Sequence, residues 1–600
     1  MLLTIRKKFI GYKSWVLITR NGDMKMNYLK DFFKKYVRDL SNCAIILLLA
    51  ILILTPQLTY HVFVMGDDWV FHWNRFFEAG MQIKTGHFNL FQSLYGFQQS
   101  GRTINAIYGA PFAYIHGFAL VLLKSAFKTQ LLSNFFCLSV AGVGTYLLMR
   151  YSKIRKSISL SAALIYMSSF FVVYYVTAQT IRSIAAAFLP IAFIPLVRML
   201  KRQTKQINPM WLGGSGALIF AIHNLTAFFY AACTLMCLFV SYAISKERKE
   251  LIVHVLLSAC VAFCLSAISL VAIYNIGIKN SIVSPQPVID PNAYTMKFSI
   301  GVPDLTSFGL IISGLIVLQI SFCIFYYSNM NVFEKSVNLI GFIFLLMASP
   351  IVPWNSIFSR FSFVKILQFP YRLAPIALLF ILLGISTAAN RHSGSAVNKS
   401  KLIETFLLAI AFLSTALAYN SIDSKIQPER PASTIIQNSF DASFAHSDHL
   451  DNKLFAVPAP DYLPAVTQLN FDSATSEYQK QVLKNPLQVN KSVNEQGKLL
   501  FSWDQIDAKK KVQLPAIIYD QSAVKLNGRM IKENQIRRTS IGALIVQGKK
   551  GHNSVEVGFR KTFLINLAEW VNLLAIVGFL TYCFVLGYHR VKKYRISLKI

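Results

Sequence analysis

Residues 43–62, CAIILLLAILILTPQLTYHV, contain no Lys, Arg, Asp or Glu and are apolar over most of their length. A helix that crosses a bilayer needs about 20 mostly apolar residues, and this run has that length. Basic residues precede the run at Lys34, Lys35 and Arg38, which is typical of a first span whose N-terminal side stays in the cytoplasm. The run therefore predicts a membrane-spanning helix near the start of the chain.

Similar apolar runs recur along most of the 600-residue chain. Of its residues 54% are hydrophobic and 14% are charged, whereas soluble proteins carry roughly 25% charged residues. This composition excludes a soluble enzyme and a disordered protein, and it predicts a polytopic α-helical membrane protein. We expect about 12–13 spans, twelve of them at 43–62, 131–150, 158–176, 184–200, 210–222, 226–244, 252–276, 307–327, 335–350, 371–388, 403–420 and 566–588.

The net charge of +33 would indicate a nucleic-acid partner in a soluble protein. Here the basic residues cluster in short loops and in both tails, a pattern that orients spans and contacts anionic lipid headgroups. The sequence therefore predicts a multi-pass protein of the cell membrane with cytoplasmic N- and C-termini, in contact with membrane lipids and not with nucleic acid. The basic residues of the tails are Arg6, Lys7, Lys8, Lys34, Lys35, Arg38, Arg590, Lys592, Lys593, Arg595 and Lys599.

One further segment, residues 106–124, is apolar enough to span. Counting it as a crossing would place Arg155 and Lys156 outside the cytoplasm, against the charge rule. We therefore expect a re-entrant or interfacial helix, broken by Gly109 and Pro111, on the external side. A thirteenth span is the alternative.

Two segments are too long to be simple connectors, and they divide the chain. We expect a basic cytoplasmic segment (1–42), a transmembrane domain (43–420) with an external loop (63–130), an extracytoplasmic β-rich domain (421–565), and a last span with a basic tail (566–600). Four short runs in the third of these alternate or are apolar, and turn residues separate them, which predicts strands. They are KLLFSW (498–503), VQLPAIIYD (512–520), ALIVQ (543–547) and SVEVGF (554–559).

Acidic residues are scarce in the first half of the chain. Two of them, Asp67 and Asp68, follow the first span in GDDWVFHWNRFFEAG. If this segment is helical, Asp68, His72 and Arg75 lie near one face at i, i+4 and i+7. Carboxylates at a membrane surface are costly unless they are solvated or functional. The two readings, a helix-capping aspartate with surface salt bridges and a catalytic pair, have about equal support from spacing.

Two further polar positions lie at the expected external ends of spans. Arg182 begins a span in TIRSIAAAFLP, and His223 and Asn224 separate two short apolar halves in AIHNLTAFFY. A lone arginine at such a position is also explained by snorkelling to the interface. A helix break at membrane depth is tolerated where it lines a cavity or is buried in protein, and a hydrogen-bonded hairpin tip is the alternative.

A third polar position lies in KILQFPYRLAPIALLF, where Gln368, Tyr371 and Arg372 precede a span. An arginine at a helix start lies at the positive end of the helix dipole, which is unfavourable. A nearby anion would compensate both the arginine charge and the dipole. If the basic loops stay in the cytoplasm and each span crosses the membrane once, Arg182, His223 and Arg372 lie on the same side as Asp67 and Asp68. This combination suits a carboxylate base that faces an anionic, phosphate-bearing leaving group.

These motifs together resemble those of a known family. The chain is similar, from about residue 45 to the C-terminus, to the bacterial membrane proteins called "6-pyruvoyl-tetrahydropterin synthase-related", which neighbour the YfhO-like proteins, and both resemble the GT-C glycosyltransferase superfamily. The zinc-binding histidines of a soluble pterin synthase are missing, so that activity does not apply. The motifs that carry the resemblance are GDDWVFHWNR, YGFQQSGRTINAIYGAPFAYI, HNLTA, LQFPYR, DYLPA (461–465) and LPAIIYD.

The resemblance implies a GT-C-like fold and an inverting glycosyltransferase that uses a polyprenyl-phosphate-linked sugar. One of Asp67 and Asp68 would be the general base, and the other would position the acceptor or a cation. Arg182, His223 and Arg372 would hold the lipid phosphate. Members of the superfamily differ in whether they need a divalent cation such as Mg²⁺ or Mn²⁺, and the sequence leaves this open. The full set of expected substrate-binding residues is His72, Arg75, Arg182, His223, Asn224, Gln368, Tyr371 and Arg372.

The expected acceptor is an extracytoplasmic cell-envelope glycopolymer, such as teichoic acid, lipoteichoic acid or a polysaccharide. A transporter or flippase of a lipid-linked glycan is one alternative, and a non-catalytic scaffold of an envelope-synthesis complex is another. Fold alone does not decide among these three functions. They differ in whether they need Asp67 and Asp68.

Overall fold

The computed structural model describes residues 22–201, 207–283, 288–392, 397–427 and 457–597, and they are mostly helical. Helices α1 to α9 are Gly22–Tyr60, Trp69–Thr85, Ala110–Leu123, Ala126–Tyr151, Lys156–Met167, Phe170–Ala178, Ile181–Ala192, Ile194–Leu200 and Pro209–Ile222. Helices α10 to α19 are Asn224–Ile244, Arg248–Leu265, Ala267–Ala272, Gly309–Tyr326, Val332–Ala348, Trp354–Arg360, Ala374–His392, Val397–Ile426, Phe471–Tyr478 and Phe563–Ser597.

Among the described residues, seven helices are long and apolar enough to cross a membrane, namely α1, α4, α10, α13, α16, α17 and α19. The number rises to ten if each of three bent pairs, α5–α6, α7–α8 and α11–α12, is one span. The chain is therefore a multi-pass membrane protein. All twelve expected spans fall on helices, but α9 and α14 have only 14 and 17 residues, so length alone supports seven to ten crossings rather than twelve.

The bends have identifiable causes in the sequence. The α7–α8 pair bends by 43°, where Pro195 occupies the first turn of α8 and Pro190 lies within α7. Proline lacks the N–H that would continue the helical ladder, so helices kink beside it. The α5–α6 pair bends by 41° at Ser168 and Ser169. All nine residues of α6 are buried, which places this broken span in the interior.

The segment expected to be re-entrant, 106–124, contains α3, whose 14 residues give a length of about 21 Å. A hydrocarbon core is about 30 Å thick, so α3 is too short to cross it upright. Gly109 precedes the helix with φ of 52° and Pro111 lies in its first turn. The helix packs on α2 where Gly117 meets Gly80, and a Cβ on Gly117 would lie 2.5 Å from the Gly80 nitrogen.

The expected strands are present at all four predicted stretches. Strands β1 to β8 are Asn490–Val493, Leu499–Gln505, Lys511–Ile517, Ser522–Leu526, Arg529–Met530, Arg537–Arg538, Ala543–Gln547 and Gly551–Phe559. They form two antiparallel sheets with strand orders β1-β2-β8-β4-β5 and β3-β7-β6. In the central strand β8, Val555 lies opposite Phe501 and Val557 opposite Val524, and these alternate residues are buried, as the period of a strand requires.

The boundary expected at residue 420 is displaced, because α17 continues to Ile426. Residues 428–456 of the expected β-rich domain, and the basic residues Arg6, Lys7 and Lys8, lie outside the described residues.

An unusual turn in the loop between α2 and α3 contacts the C-terminal region. Phe97, Gln98 and Gln99 have φ of 51°, 55° and 54°, a left-handed conformation that costs roughly 1–2 kcal/mol for each non-glycine residue. The hydroxyl of Tyr478 donates to the Phe97 carbonyl at 3.2 Å, and Lys491 Nζ donates to the Gln98 carbonyl at 2.7 Å. Contacts from the C-terminal region therefore hold this loop in a strained conformation.

Candidate active site

Asp67 and Asp68 lie between α1 and α2 and are both exposed. The preceding Gly66 touches the end of α6, where a Cβ on it would lie 2.3 Å from the Ala178 Cα. The backbone N–H of Asp68 donates to the Ala178 carbonyl at 3.2 Å. The acidic pair is therefore fixed against a buried helix end.

Buried amides secure the chain just before this pair. Gln130 accepts the N–H of Val64 at 2.7 Å and donates to its carbonyl at 2.8 Å, as a neighbouring strand would. Gln57 donates to Gln130 at 2.9 Å and accepts from Asn134 at 2.8 Å. Since an unpaired buried amide is costly, a satisfied network of this kind fixes one conformation.

The two aspartates have different surroundings. Asp67 accepts a hydrogen bond from the hydroxyl of Tyr174. Asp68 occupies the N-cap position of α2, but its side chain makes no capping hydrogen bond, and no salt bridge joins it to another described residue. The alternative of a helix-capping aspartate with surface salt bridges therefore does not describe Asp68.

Surrounding protein partly desolvates Asp68 and raises its pKa to about 6 from its usual 3.8, although the residue as a whole is exposed. The charges of Asp461 and Asp67 raise it further, and those of Arg182 and Arg372 oppose the rise. A carboxylate with a pKa near 6 is ionised at neutral pH and still accepts a proton readily, as a general base must.

Arg182, in the first turn of α7, is held between two tyrosines. Its guanidinium carbon lies 5.2 Å from the centre of the Tyr174 ring and 5.1 Å from that of Tyr371, and the group donates to the Tyr371 hydroxyl. Cation–π contacts of this kind fix a guanidinium without neutralising its charge.

Arg372 is held by the backbone that precedes it. Its Nη1 donates to Gln368 Oε1 at 2.8 Å and to the Leu367 carbonyl at 3.3 Å. Gln368 has φ of 57° and ψ of −60°, and the N–H of Phe369 donates to the Leu367 carbonyl across it at 2.7 Å. This is a γ-turn of the rare, strained kind. The Nε of Arg372 is buried and has no hydrogen-bond partner.

Both arginines line one cleft, which is partly open to solvent. Within the described part of the chain, no carboxylate oxygen lies within 4.0 Å of either guanidinium. The remaining lining is mostly apolar and aromatic. It consists of Phe170, Phe171, Tyr174, Ser183, Ala186, Leu189, His223, Thr226, Leu305, Tyr371, Pro375 and Ile376. Such a cleft suits an anionic group attached to an apolar chain.

His223 lines the cleft and Asn224 does not. His223 precedes α10, and its Nδ1 accepts the backbone N–H of Thr226 at 3.1 Å, which leaves the ring proton on Nε2. Burial, then the charges of Arg372 and Arg182, lower the pKa of His223 to about 3, so the ring is neutral. Asn224 instead donates to the Ile107 carbonyl at 2.9 Å, which ties α10 to the segment before α3.

His72 and Arg75 are also absent from the cleft, since both are buried within α2, with 3% and 1% of their surfaces exposed. Arg75 donates to Asn105 Oδ1 at 3.1 Å and to the Gly109 carbonyl at 3.0 Å, contacts the Tyr108 carbonyl, and lies 3.2 Å from His72 Nδ1. Enclosure and the Arg75 charge lower the pKa of His72 well below its usual range. The cluster fixes the segment that covers α2, and it engages every nitrogen of the Arg75 guanidinium.

The spacing of Glu78 suggests an i, i+3 pair with Arg75, but the structure gives it other partners. Its carboxylate accepts the successive backbone N–H groups of Leu94, Tyr95 and Gly96 at 2.8, 2.7 and 2.6 Å. Glu78 therefore shapes the loop that leads into the left-handed turn.

Sequence reasoning missed three residues around the site. Tyr174 holds Asp67, and Lys425 lies 5.4 Å above the ring of the cleft residue Phe170. Asp461 affects Asp68 electrostatically. The only sequence signal was the DYLPA motif, because Tyr174 lies in an apolar run and Lys425 at the end of one.

No set of three or more His, Cys, Asp or Glu side chains in the described ranges is arranged to hold a metal ion. Asp67 is engaged by Tyr174, and the charged groups nearest Asp68 include two cations. These residues do not form a metal site on their own, so no catalytic step is assigned to one.

Comparison with known proteins adds no identification. No protein-family model matches the chain, and no curated protein is similar enough to match it.

Proposed function

We propose that the protein is a GT-C-like membrane glycosyltransferase that moves a sugar from a polyprenyl-phosphate donor to a cell-envelope glycopolymer. The observation that carries the proposal is the pairing of Asp68, an exposed residue whose carboxyl pKa is about 6, with two arginines that no carboxylate neutralises. A base facing an anion-binding cleft is the arrangement that such a transfer needs.

The cleft accounts for both parts of the donor. Arg182 and Arg372 bind the phosphate, because guanidinium groups match phosphate oxygens in geometry and charge. The apolar lining, which includes Phe170, Leu189 and Ile376, accepts the first units of the lipid chain. The neutral ring of His223 donates from Nε2 to a phosphate oxygen.

The reaction requires one proton transfer and one displacement. Asp68 takes the proton of the acceptor hydroxyl, and the acceptor oxygen forms a bond to the anomeric carbon. The bond from that carbon to the phosphate oxygen breaks, and its electron pair leaves with the polyprenyl phosphate. Arg182 and Arg372 stabilise the charge that develops on the leaving phosphate. Attack opposite to the leaving group inverts the anomeric configuration.

Asp67 has a positioning role in this mechanism. The hydrogen bond from Tyr174 occupies one of its carboxylate oxygens and fixes its orientation. Since Tyr174 also packs on Arg182, one side chain links the acceptor side of the site to the phosphate side.

The proposal includes a location. The basic loops and tails of the sequence favour cytoplasmic termini, which would put the acids and the β-rich region on the extracytoplasmic side of the cell membrane. A glycopolymer of the envelope is accessible there.

The test is the composition of envelope glycopolymers in a strain that lacks the gene, complemented at matched membrane abundance. We expect wild type to restore a sugar substituent, Asp68→Asn to fail, and the exposed control Asp472→Asn to succeed. Restoration by Asp68→Asn would exclude the base mechanism. If Arg182→Gln then still failed, transport of a lipid-linked glycan would be favoured, and if it succeeded, a scaffold would be favoured.

A further inference from the structure

The segment that contains Asp461 is held rigidly against the helical region. Arg102 is fully buried and donates to the backbone carbonyls of Ala459 and Asp461. The N–H of Val283 donates to the Leu463 carbonyl at 2.9 Å. The segment 459–465 is therefore fixed by residues from two distant parts of the chain.

Tyr462 packs directly on α2, one turn beyond Asp68. Its ring centre lies 6.1 Å from that of Phe71 and 6.2 Å from that of Tyr108, and the latter two are 5.7 Å apart. All three rings are partly exposed. The Tyr519 hydroxyl donates to the Tyr462 carbonyl at 3.0 Å, so the β-rich region supports this aromatic wall.

Asp461 itself has no cationic side chain within 4.0 Å among the described residues. Arg102 contacts its backbone carbonyl, and the surroundings raise the pKa of its carboxyl group mainly by burial. Its charge also raises the pKa of Asp68. The charge of Arg102 opposes the rise in the pKa of Asp461 without forming an ion pair with it. A half-buried carboxylate that forms no ion pair and acts on the candidate base is costly unless a ligand uses it.

We propose that Asp461 is a third carboxylate of the active site, where it binds a second hydroxyl of the acceptor while Tyr462 packs against the acceptor's C–H face. This inference rests on the proposed function and names the acceptor class as an uncharged polyhydroxyl group, such as a sugar ring. Carboxylate oxygens accept hydrogen bonds from hydroxyls, and aromatic rings contact apolar faces.

An acceptor with a cationic amine fits this site less well. Arg182 and Arg372 both act on Asp68 and would repel an ammonium group held there. Asp461 exchanges no proton in the transfer, since the acceptor proton goes to Asp68. The C-terminal region thus supplies an acceptor-binding residue as well as support.

The first arm of the test measures the placement of Asp461 without relying on glycosyl transfer. Dicyclohexylcarbodiimide reacts with protonated carboxyl groups, and peptide mass spectrometry of the full-length protein in detergent gives labelling at Asp68 against pH. Removing the Asp461 charge favours the ionised form of Asp68, so Asp461→Asn should lower its half-labelling pH by about half a unit. Asp472→Asn should leave it unchanged. An unshifted midpoint in Asp461→Asn would overturn the proposal.

The second arm measures acceptor use in the complemented strain. We expect Asp461→Asn to reduce the sugar substituent at least tenfold, Asp461→Glu to restore part of it, and Asp472→Asn to keep it. A purely structural role would not shift the labelling of Asp68 or respond to the glutamate. Full restoration by Asp461→Asn overturns this inference alone, whereas full restoration by Asp68→Asn overturns the proposed function with it.

Discussion

The hydroxyl of Tyr174 donates a hydrogen bond to Oδ2 of Asp67, which joins the buried α6 to the first acid after α1. The same ring lies 5.2 Å from the guanidinium carbon of Arg182. One side chain therefore touches an acid and a cation of the candidate site. In the proposed reaction, this contact would fix the distance between the acceptor and the donor phosphate.

Removing this hydroxyl tests that relationship. A hydrogen bond to a charged group contributes about 1.5–3 kcal/mol, and each 1.4 kcal/mol corresponds to about tenfold in rate. We expect Tyr174→Phe to reduce the glycopolymer substituent about tenfold or more at matched abundance in the complemented strain. Tyr166→Phe is the control, since that hydroxyl donates to the Ala186 carbonyl at 2.8 Å away from the acids. Equal activity of the two variants would contradict the role of Tyr174.

The raised pKa of Asp68 has a consequence for stability. Its pKa in the folded protein, about 6, exceeds the usual value of 3.8, so the folded state binds more protons between these values. Stability must therefore decline as pH rises from about 4 to about 6. Asp68→Asn lacks this decline, and we expect its Tm in detergent to exceed that of wild type at pH 7.5 and to match it at pH 4. A variant less stable than wild type at pH 7.5 would contradict this.

The sequence predicted the helical class because apolar runs long enough to span a bilayer are hard to explain otherwise. It also predicted that Arg182, His223 and Arg372 lie on the side of Asp67 and Asp68. The structure places the first three in one cleft, and the charges of its two arginines act on Asp68. The prediction needed only the order of spans and basic loops along the chain. It did not need the packing of any side chain.

The parts that the sequence did not predict depend on packing. The i, i+4, i+7 spacing put Asp68, His72 and Arg75 near one face of α2, but the segment that covers this face, around Asn105, follows some thirty residues later. The left-handed turn at Phe97–Gln99 contains no glycine, so local propensity gives no signal for it. The segment of Asp461 is placed by distant contacts, among them that with Arg102 across 359 positions of sequence.

The two cleft arginines should be measurable as a binding site. Replacing either one removes charge-assisted hydrogen bonds of about 1.5–3 kcal/mol, so we expect Arg182→Gln and Arg372→Gln each to weaken binding of a short-chain isoprenyl phosphate about 10- to 100-fold. The increase of Tm with ligand concentration measures this affinity. The exposed Arg360 provides the control variant Arg360→Gln. Unchanged affinity in both cleft variants would show that the phosphate does not bind in the cleft.

Arg75 distinguishes a structural cluster from a substrate site. Arg75→Lys cannot replace all the hydrogen bonds to Asn105, Tyr108 and Gly109, and each buried acceptor left unpaired costs about 1–3 kcal/mol. We expect a clear fall in Tm and in folded yield, while the folded fraction keeps wild-type affinity for the isoprenyl phosphate. Arg155→Lys should change little, since that side chain is 44% exposed in its pair with Glu404 and exposed pairs contribute little. If Arg75→Lys instead kept its stability and lost affinity, His72 and Arg75 would belong to the substrate site, as their spacing suggested.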